Sequence, residues 1–205
     1  MAVISNGTTL LDAGAIDSGI ATGAMVLIKT LTASTSGTLS FVHGASDVIF
    51  DSTYKEYVFK FIDIHPNSDG ADYAFNVSID GGSNYNVTKT TTQFNARHSE
   101  DNNTAASSYI TGNDLAAGTG FQIIGDGVGA GNDESLVGTL QLFDPSSTTF
   151  VKHFIATINN YRTNDNSYNV FTAGYANTTS AVNAIQFKFA SGNTDSGTIK
   201  MYGVL

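Results

Sequence analysis

Apolar and polar side chains alternate with a period of two along most of the chain. Between Tyr73 and Ile79 large apolar residues alternate with small or polar ones, and Phe187 and Phe189 flank Lys188 in the same way. This alternation is typical of a strand with one buried and one wetter face. Similar patterns mark further strand candidates at 25–31, 38–42, 57–64, 86–94, 121–124, 137–143, 150–158, 169–175 and 198–204. No segment keeps an apolar helical period over three turns, so helices are not predicted.

Turn-forming residues separate these candidates. The segment 66–70, Pro-Asn-Ser-Asp-Gly, ends one strand because proline cannot donate a hydrogen bond and Asp-Gly favours positive φ. The segment 80–84, Asp-Gly-Gly-Ser-Asn, closes a predicted hairpin between Ile79 and Tyr85. Roughly nine or ten short strands with such breaks are typical of two packed antiparallel sheets. The sequence therefore predicts an all-β fold, an antiparallel β-sandwich or jelly roll.

Two regions depart from this pattern. Residues 1–24 carry isolated apolar positions among Gly, Ala and Thr, too few to bury much of their own surface. They are predicted to form an N-terminal extended arm or attachment segment, in front of a single sandwich domain over 25–205. The polar stretch from His98 to Gly120 is predicted to be a long connection between strands.

The charge balance narrows the range of partners. The 205 residues include nine Lys and Arg against eighteen Asp and Glu, a net charge of −9. An acidic surface repels the phosphate backbone, so nucleic-acid binding is not expected. No apolar stretch approaches the ~20 residues of a membrane helix, so no membrane partner is expected. The chain has no cysteine for disulfides, and its first residues, MAVISNGTTLLDAG, lack the pattern of a secretory signal.

One glycine-rich, acidic segment, 125–134, has the composition of a calcium loop. Asp126, Asp133 and Glu134 offer the carboxylate oxygens that calcium prefers, on a permissive backbone. Calcium-binding β-roll turns work as stacked copies, however, and this segment occurs once. The alternative interpretation is a solvated loop without an ion. Calcium at these three residues is the metal candidate of this segment, and no other cofactor is predicted.

No group of side chains predicts catalysis. Asp63, His65, Asp69 and Asp72 bracket the end of one strand and have the chemistry to bind a metal or move a proton. A turn is the simpler explanation for Asp69 before Gly70. There is no nucleophile elbow of the Gly-x-Ser-x-Gly type. An enzyme, such as a glycan depolymerase, is therefore not expected, and no catalytic residue is assigned.

Tyrosine is the residue with which this chain would contact a sugar, because it has no tryptophan. Four of its tyrosines fall in polar surroundings near predicted loops: Tyr85, Tyr109, Tyr161 and Tyr168. They are candidate ligand-contact residues of a carbohydrate-binding face. The alternative is that they pack in the core and on the sheets.

Three segments of the chain carry a resemblance to a known family. They are 54–86, YKEYVFKFIDIHPNSDGADYAFNVSIDGGSNYN, 143–161, FDPSSTTFVKHFIATINNY, and 173–204, AGYANTTSAVNAIQFKFASGNTDSGTIKMYGV. The first resembles a hairpin that recurs in small β-rich virion proteins of tailed bacteriophages, especially phages of marine bacteria, and the other two are similar to the C-terminal half of these proteins. The resemblance covers roughly residue 25 to the end, and its residues form turns and strands, so it carries over no active-site residue.

The resemblance implies a non-enzymatic structural component of the virion, assembled in the bacterial cytoplasm. It leaves open a capsid decoration (cement) protein and a subunit associated with the tail or fibre. The expected partners are further copies of the chain, in a homo-oligomer such as a trimer, and the major capsid or tail proteins. The alternative is a receptor- or carbohydrate-binding adhesion module that contacts a host surface glycan. A cement protein should bury a large, partly apolar surface, whereas an adhesin should expose a concave aromatic patch.

Overall fold

The computed structural model describes residues 3–5, 8–12, 15–16 and 24–205. Three short strands lie in the first part of the chain: β1 (Val3–Ser5), β2 (Thr8–Asp12) and β3 (Ala15–Ile16). Twelve strands follow: β4 (Met25–Thr32), β5 (Leu39–Val42), β6 (Glu56–Pro66), β7 (Ala71–Ser78), β8 (Lys89–Ser99), β9 (Ala105–Tyr109), β10 (Gln122–Val128), β11 (Leu136–Phe143), β12 (Lys152–Arg162), β13 (Asn166–Ala176), β14 (Ala184–Phe189) and β15 (Thr194–Val204). A short 3₁₀ helix, Thr111–Asn113, precedes β10. Within these described ranges, no helix is long and apolar enough to span a bilayer.

The strands β4–β15 form one antiparallel sheet that folds back on itself. Eight of them are hydrogen-bonded in the order β4-β15-β6-β11-β12-β13-β8-β9, and four in the order β10-β7-β14-β5. The pair Val128 and Arg162 joins the two parts. On the other side a bridge from Ser36 to Thr194 nearly closes the structure. The result is a sandwich-like fold of an eight-stranded and a four-stranded layer, which confirms the predicted all-β antiparallel class.

Aromatic side chains fill the space between the two layers. Phe187 of β14 lies at the centre, and its ring centroid is 5.1 Å from that of Phe61 and 5.4 Å from that of Phe59. Phe75 of β7 meets Phe154 of β12 edge-on at 4.9 Å. Such pairs stabilise a core by about 0.5–1.5 kcal/mol each beyond the burial of their area. The alternating aromatic residues of the sequence therefore hold the layers together.

The predicted N-terminal arm, residues 1–24, lies partly outside the described residues. Its described part, β1–β3, pairs within itself as a separate three-stranded antiparallel sheet. Leu11 pairs with Val3 on one side and with Ile16 on the other, where the sequence predicted isolated apolar positions without a strand. Residues 1–2, 6–7, 13–14 and 17–23 of the arm are outside the described ranges. The first strand of the sandwich is β4, which begins at Met25. The division into an arm and a sandwich domain, and the arm's attachment role, stay predictions.

Two segments that were predicted to be loops are partly strand. In the stretch 98–120, β8 runs on to Ser99 and pairs with β9. In the segment 125–134, β10 continues to Val128 across register shifts. Gly127 permits this path with a φ of +63°, and a side chain there would overlap Arg162. The end of β8, strand β9 and the second half of β10 carry mainly small, polar or glycine residues. The period-two alternation of apolar residues therefore does not reveal them.

Strand β7 is buried on both faces, although the sequence predicted one wetter face. Asn76 and Ser78 are as buried as Tyr73 and Phe75. The amide nitrogen of Asn76 donates to backbone oxygens of Tyr85 and of the connection 119–120, which cover this second face. The prediction was wrong because connections from elsewhere in the chain, rather than water, surround the polar side chains.

Candidate functional site

The outer face is the surface of β8, β9, β11, β12 and β13 that points away from the four-stranded layer. Strand pairing places its side chains in rows across the sheet. One row holds Phe143, His153, Tyr175 and Thr90, as neighbours on β11, β12, β13 and β8. Phe143 is one residue beyond Leu142, which lies opposite Phe154 and is the last residue of β11 that pairs with β12. The side chains of one row stand side by side on the same face, so they form a continuous surface.

The next two rows continue the outer face with further apolar residues. Ile155 lies beside Ala173 and Thr92, and Phe171 lies beside Phe94 and Tyr109. The rings of Phe94 and Phe171 stack at 4.8 Å between centroids and 12° between planes. Ile155 is 48% exposed, Phe94 50% and Tyr109 58%. Contiguous apolar exposure of this kind marks contact surfaces of proteins.

A groove of about 570 Å³ opens on the outer face between β8, β12 and β13. The side chains that line it are predominantly apolar or aromatic, and they include Phe143, His153, Ile155, Ala173, Tyr175, Thr90 and Thr92. The rings of His153 and Tyr175 lie 5.9 Å apart at its wall. Concave, mostly apolar grooves of this size are typical of ligand and partner sites. The groove is therefore the candidate functional site.

Tyr109 is the one predicted contact tyrosine that lies beside the groove. Its hydroxyl hydrogen-bonds to a carboxylate oxygen of Asp114 and accepts from the Thr92 hydroxyl at 3.3 Å. Thr92 is itself part of the groove wall. These bonds hold the ring of Tyr109 at the edge of the outer face, next to the Phe94–Phe171 stack.

The other three tyrosines lie away from the groove, although Tyr161 is on the outer face at the other end of β12. Tyr85 is half-buried in the connection after β7, against Gly82. Tyr161 lies near the end of β12, where a hydrogen bond to Glu100 raises the pKa of its phenol to about 12. Tyr168 is only 3% exposed and bonds to Asn95 in the interior. Its candidacy as a ligand contact was wrong, because its ring packs under Arg162 in the core.

The structure does not assemble a metal site from the predicted calcium residues. Asp126 pairs with Arg162 at 3.0 Å. Glu134 turns back and accepts from the backbone nitrogen of Gly131 at 2.5 Å. Asp133 lies in an open depression with Asp63 and His65. Throughout the described part of the chain, no three His, Asp or Glu side chains form a group that would hold a metal ion.

The acidic residues around the turn between β6 and β7 accept hydrogen bonds from backbone groups of the glycine-rich segment. The carboxylates of Asp69 and Asp72 accept from the nitrogens of Ala130 and Gly127, both about 3 Å away. The ring of His65 bonds to the carbonyl oxygen of Gly131. These contacts tie the glycine-rich segment to the end of β6 and the start of β7. The backbone nitrogens of Ala130 and Gly127 thus account for the presence of carboxylates at Asp69 and Asp72.

Sequence reasoning missed the groove itself. The signal was present in β12, where Ile155 follows Phe154, so that both faces of the strand carry a large apolar side chain. Phe94 likewise stands among polar residues of β8 on the face opposite to the buried Gln93 and Asn95. Successive side chains of a strand point to opposite faces, so an apolar residue between two buried residues points outward. Several such residues on neighbouring strands indicate an exposed contact surface. The pairing of β12 with β13 and β8, which gathers these residues, was not evident from the sequence.

In comparisons with known proteins, no family model, no curated protein and no solved structure matches the chain.

Proposed function

We propose that the chain is a non-enzymatic structural component of a tailed-phage virion, either a capsid decoration protein or a tail- or fibre-associated subunit, and that it acts through the outer face. The observation that supports this most is the apolar, aromatic outer face around the groove. Its exposed Phe94, Tyr109 and Ile155 belong to residue types that are common at protein contacts, and its groove is poor in charged groups. In this proposal the face is covered by another virion protein or by a further copy of the chain.

The remainder of the molecule suits a structural role. The aromatic core and the nearly closed antiparallel sheet give a rigid body without disulfides. Among the residues that the structure describes, the short strands β1–β3 pair only with one another, as a separate sheet. In this proposal they belong to the attachment segment. In this proposal the chain forms a trimer and binds the major capsid or tail protein. Both interactions are non-covalent contacts between surfaces.

The second candidate is an adhesion module that binds a host surface glycan. The observation that favours it is the stack of Phe94 on Phe171 with Tyr109 beside it. Flat aromatic rings pack against the apolar faces of sugars, and the hydroxyls of Thr92 and Tyr109 offer hydrogen bonds at the rim. In this case the same face stays free on the particle and meets the host cell.

The test is binding of the purified chain to particles assembled without it, measured by co-sedimentation. We expect the native chain to co-sediment and the double variant F94S/I155S to lose most of its binding. The matched control is Phe150→Ser, which removes an aromatic ring that is 69% exposed in the connection before β12. Binding that is the same for both variants would contradict a role of the outer face. No binding of the native chain to particles, together with binding to host cells, would favour the adhesion module instead.

A further inference from the structure

Two lysines are completely enclosed by the sandwich, and their surroundings differ. Lys89 and Lys152 each have no exposed surface. Strand pairing places them at the same level of the sheet, on either side of Ala176. Lys152 Nζ donates to two backbone oxygens, those of Phe150 and Thr178. Lys89 Nζ instead lies against a side-chain amide, that of Asn76.

The contact between Lys89 and Asn76 is short and fully buried. Lys89 Nζ lies 2.5 Å from Asn76 Oδ1, and its second acceptor is the carbonyl oxygen of Val87 at 2.8 Å. Of the described ion pairs, Lys55–Asp144 and Arg162–Asp126, neither includes Lys89. An enclosed ammonium that lacks a carboxylate partner favours loss of its proton. Burial lowers the pKa of Lys89 to about 7, so a substantial fraction of the amine is a neutral nucleophile near neutral pH.

The amide of Asn76 is held in a way that activates it towards such a nucleophile. Its oxygen accepts from the backbone nitrogen of Val77 at 2.9 Å, in addition to Lys89. A donor at this oxygen stabilises the negative charge that develops there when the carbonyl carbon is attacked. The nitrogen, Nδ2, lies 2.7, 3.0 and 3.2 Å from the carbonyl oxygens of Tyr85, Thr119 and Gly120. These three acceptors surround the nitrogen that leaves in the reaction, and they can accept hydrogen bonds from it as ammonia.

We infer that Lys89 and Asn76 form an intramolecular isopeptide bond that covalently joins β8 to β7. The neutral amine of Lys89 attacks Cγ of Asn76, and a bond forms between Nζ and Cγ. One proton passes from the attacking nitrogen to Nδ2, the bond between Cγ and Nδ2 breaks, and ammonia leaves. The step exchanges one amide for another, so it needs neither an oxidant nor a cofactor. Because the fold already holds the two groups next to each other, the reaction itself does not bear the entropy cost of bringing them together.

This bond would give a chain without cysteine a covalent link between strands that are not hydrogen-bonded neighbours. The backbone of Lys89 is already fixed by hydrogen bonds in both directions with Gly118, so its side chain enters the interior at a defined place. The inference concerns the chain's own interior and is independent of the proposed role of the outer face.

The test is the intact mass of the purified, denatured protein together with a tryptic digest. We expect the native chain to be lighter than its sequence by one ammonia, once the N-terminal peptide has shown whether Met1 is retained. Trypsin should also fail to cut after the modified Lys89. The digest should then contain one peptide over 61–97 in place of 61–89 and 90–97. Fragmentation of that peptide should give no backbone fragments between residues 76 and 89.

Two variants provide the controls. Lys89→Met should restore the full sequence mass, whereas Lys152→Met, which replaces the other enclosed lysine, should keep the deficit of one ammonia. A native chain with the full sequence mass and normal cleavage after Lys89 would overturn the inference. So would a mass deficit that persists in Lys89→Met, because cyclisation of an asparagine on its own backbone gives the same loss without lysine. If the Lys89 variant does not fold, the fragmentation of the native peptide decides alone.

Discussion

Two carboxylates near the turns of the sandwich respond to pH in opposite directions. Asp72 is half-buried, and desolvation raises its pKa above the usual 3.8, with a smaller contribution from the charge of Asp126. Asp80 is exposed, and hydrogen bonds from Ser78 and Asn84 lower its pKa to about 2. The folded state therefore favours the protonated form of Asp72 and the ionised form of Asp80.

These shifts lead to opposite effects of removing each charge. The stability that Asp72 contributes is present below its unfolded pKa and is lost as pH rises through the folded pKa. We therefore expect the stability of Asp72→Asn relative to that of the native chain to increase as the pH rises from 3 to 7. Asp80 contributes stability above its unfolded pKa, and this contribution is lost as the pH falls from 3.8 towards 2. We therefore expect Asp80→Asn to be less stable than the native chain at pH 7.

The measurement is urea unfolding of both variants and the native chain at pH 3 and pH 7. Asp80→Asn serves as the control for Asp72→Asn, because both remove one carboxylate and keep the side-chain shape. At each pH, the stability of each variant is compared with that of the native chain. If this difference changes with pH in the same direction for both variants, the two carboxylates do not have opposite environments.

At the scale of single residues, the sequence predicted the apolar interior far better than the polar one. The large alternating residues Tyr73, Phe75 and Phe187 are buried as their pattern predicts. Lys89 and Lys152 gave no such signal, because a charged side chain is ordinarily assigned to the surface. Their burial depends on acceptors that connections far away in the sequence bring to them, such as the carbonyl oxygen of Thr178 for Lys152. A one-dimensional pattern does not contain those acceptors.

Among the elements, β15 depends on a single glycine at an irregular position. The pairing of β15 with β6 shifts register between Ser196 and Thr198. Gly197 between them has a φ of +112°, and a Cβ there would lie 2.4 Å from the backbone oxygen of Asp63. Backbone atoms of a central strand pair do not move aside easily, so only glycine fits at this position.

We expect Gly197→Ala to lower the free energy of unfolding by about 1–3 kcal/mol, because the substitution adds strain at positive φ and a clash with β6. The measurement is urea unfolding followed by fluorescence or circular dichroism. The matched control is Gly112→Ala, where a Cβ would meet no atom within 4 Å. That variant should be as stable as the native chain or slightly more so. Equal midpoints for the two variants would show that the irregularity of β15 is not under this constraint.

Most strands of the sandwich were predicted to within a few residues, since most of them have apolar residues at every second position. The exceptions are β9 and the second half of β10. Strand β9 is largely small and polar, Ala-Ala-Ser-Ser-Tyr, and is stabilised by its pairing with β8 rather than by burial of its own side chains. The second half of β10 consists of glycine, aspartate and valine and bends across register shifts. Both owe their strand conformation to a neighbour, which local propensity does not reveal.

For the whole molecule, the order of the strands creates the outer face. The first strand of the sandwich, β4, pairs with the last, β15, and β12 links the eight-stranded layer to the four-stranded one. These pairings join residues far apart in the sequence, so the turns and alternation that predicted a sandwich did not predict this order. The rows of Phe143, His153 and Tyr175, and of Phe171 and Phe94, exist only because β11, β12, β13 and β8 are neighbours.

The virion role remains a proposal, and at the scale of the whole molecule it depends on the apolar outer face. If the proposal is right, the outer face of the assembled protein is covered.

The most direct measurement is an electron-microscopy reconstruction of the intact particle at a resolution that separates the strands. We expect density for this sandwich on the particle, with Phe94, Ile155 and the groove between β8, β12 and β13 buried against a neighbouring subunit. A particle that lacks this chain, or one in which the outer face is fully open to solvent while another surface makes the contacts, would contradict it.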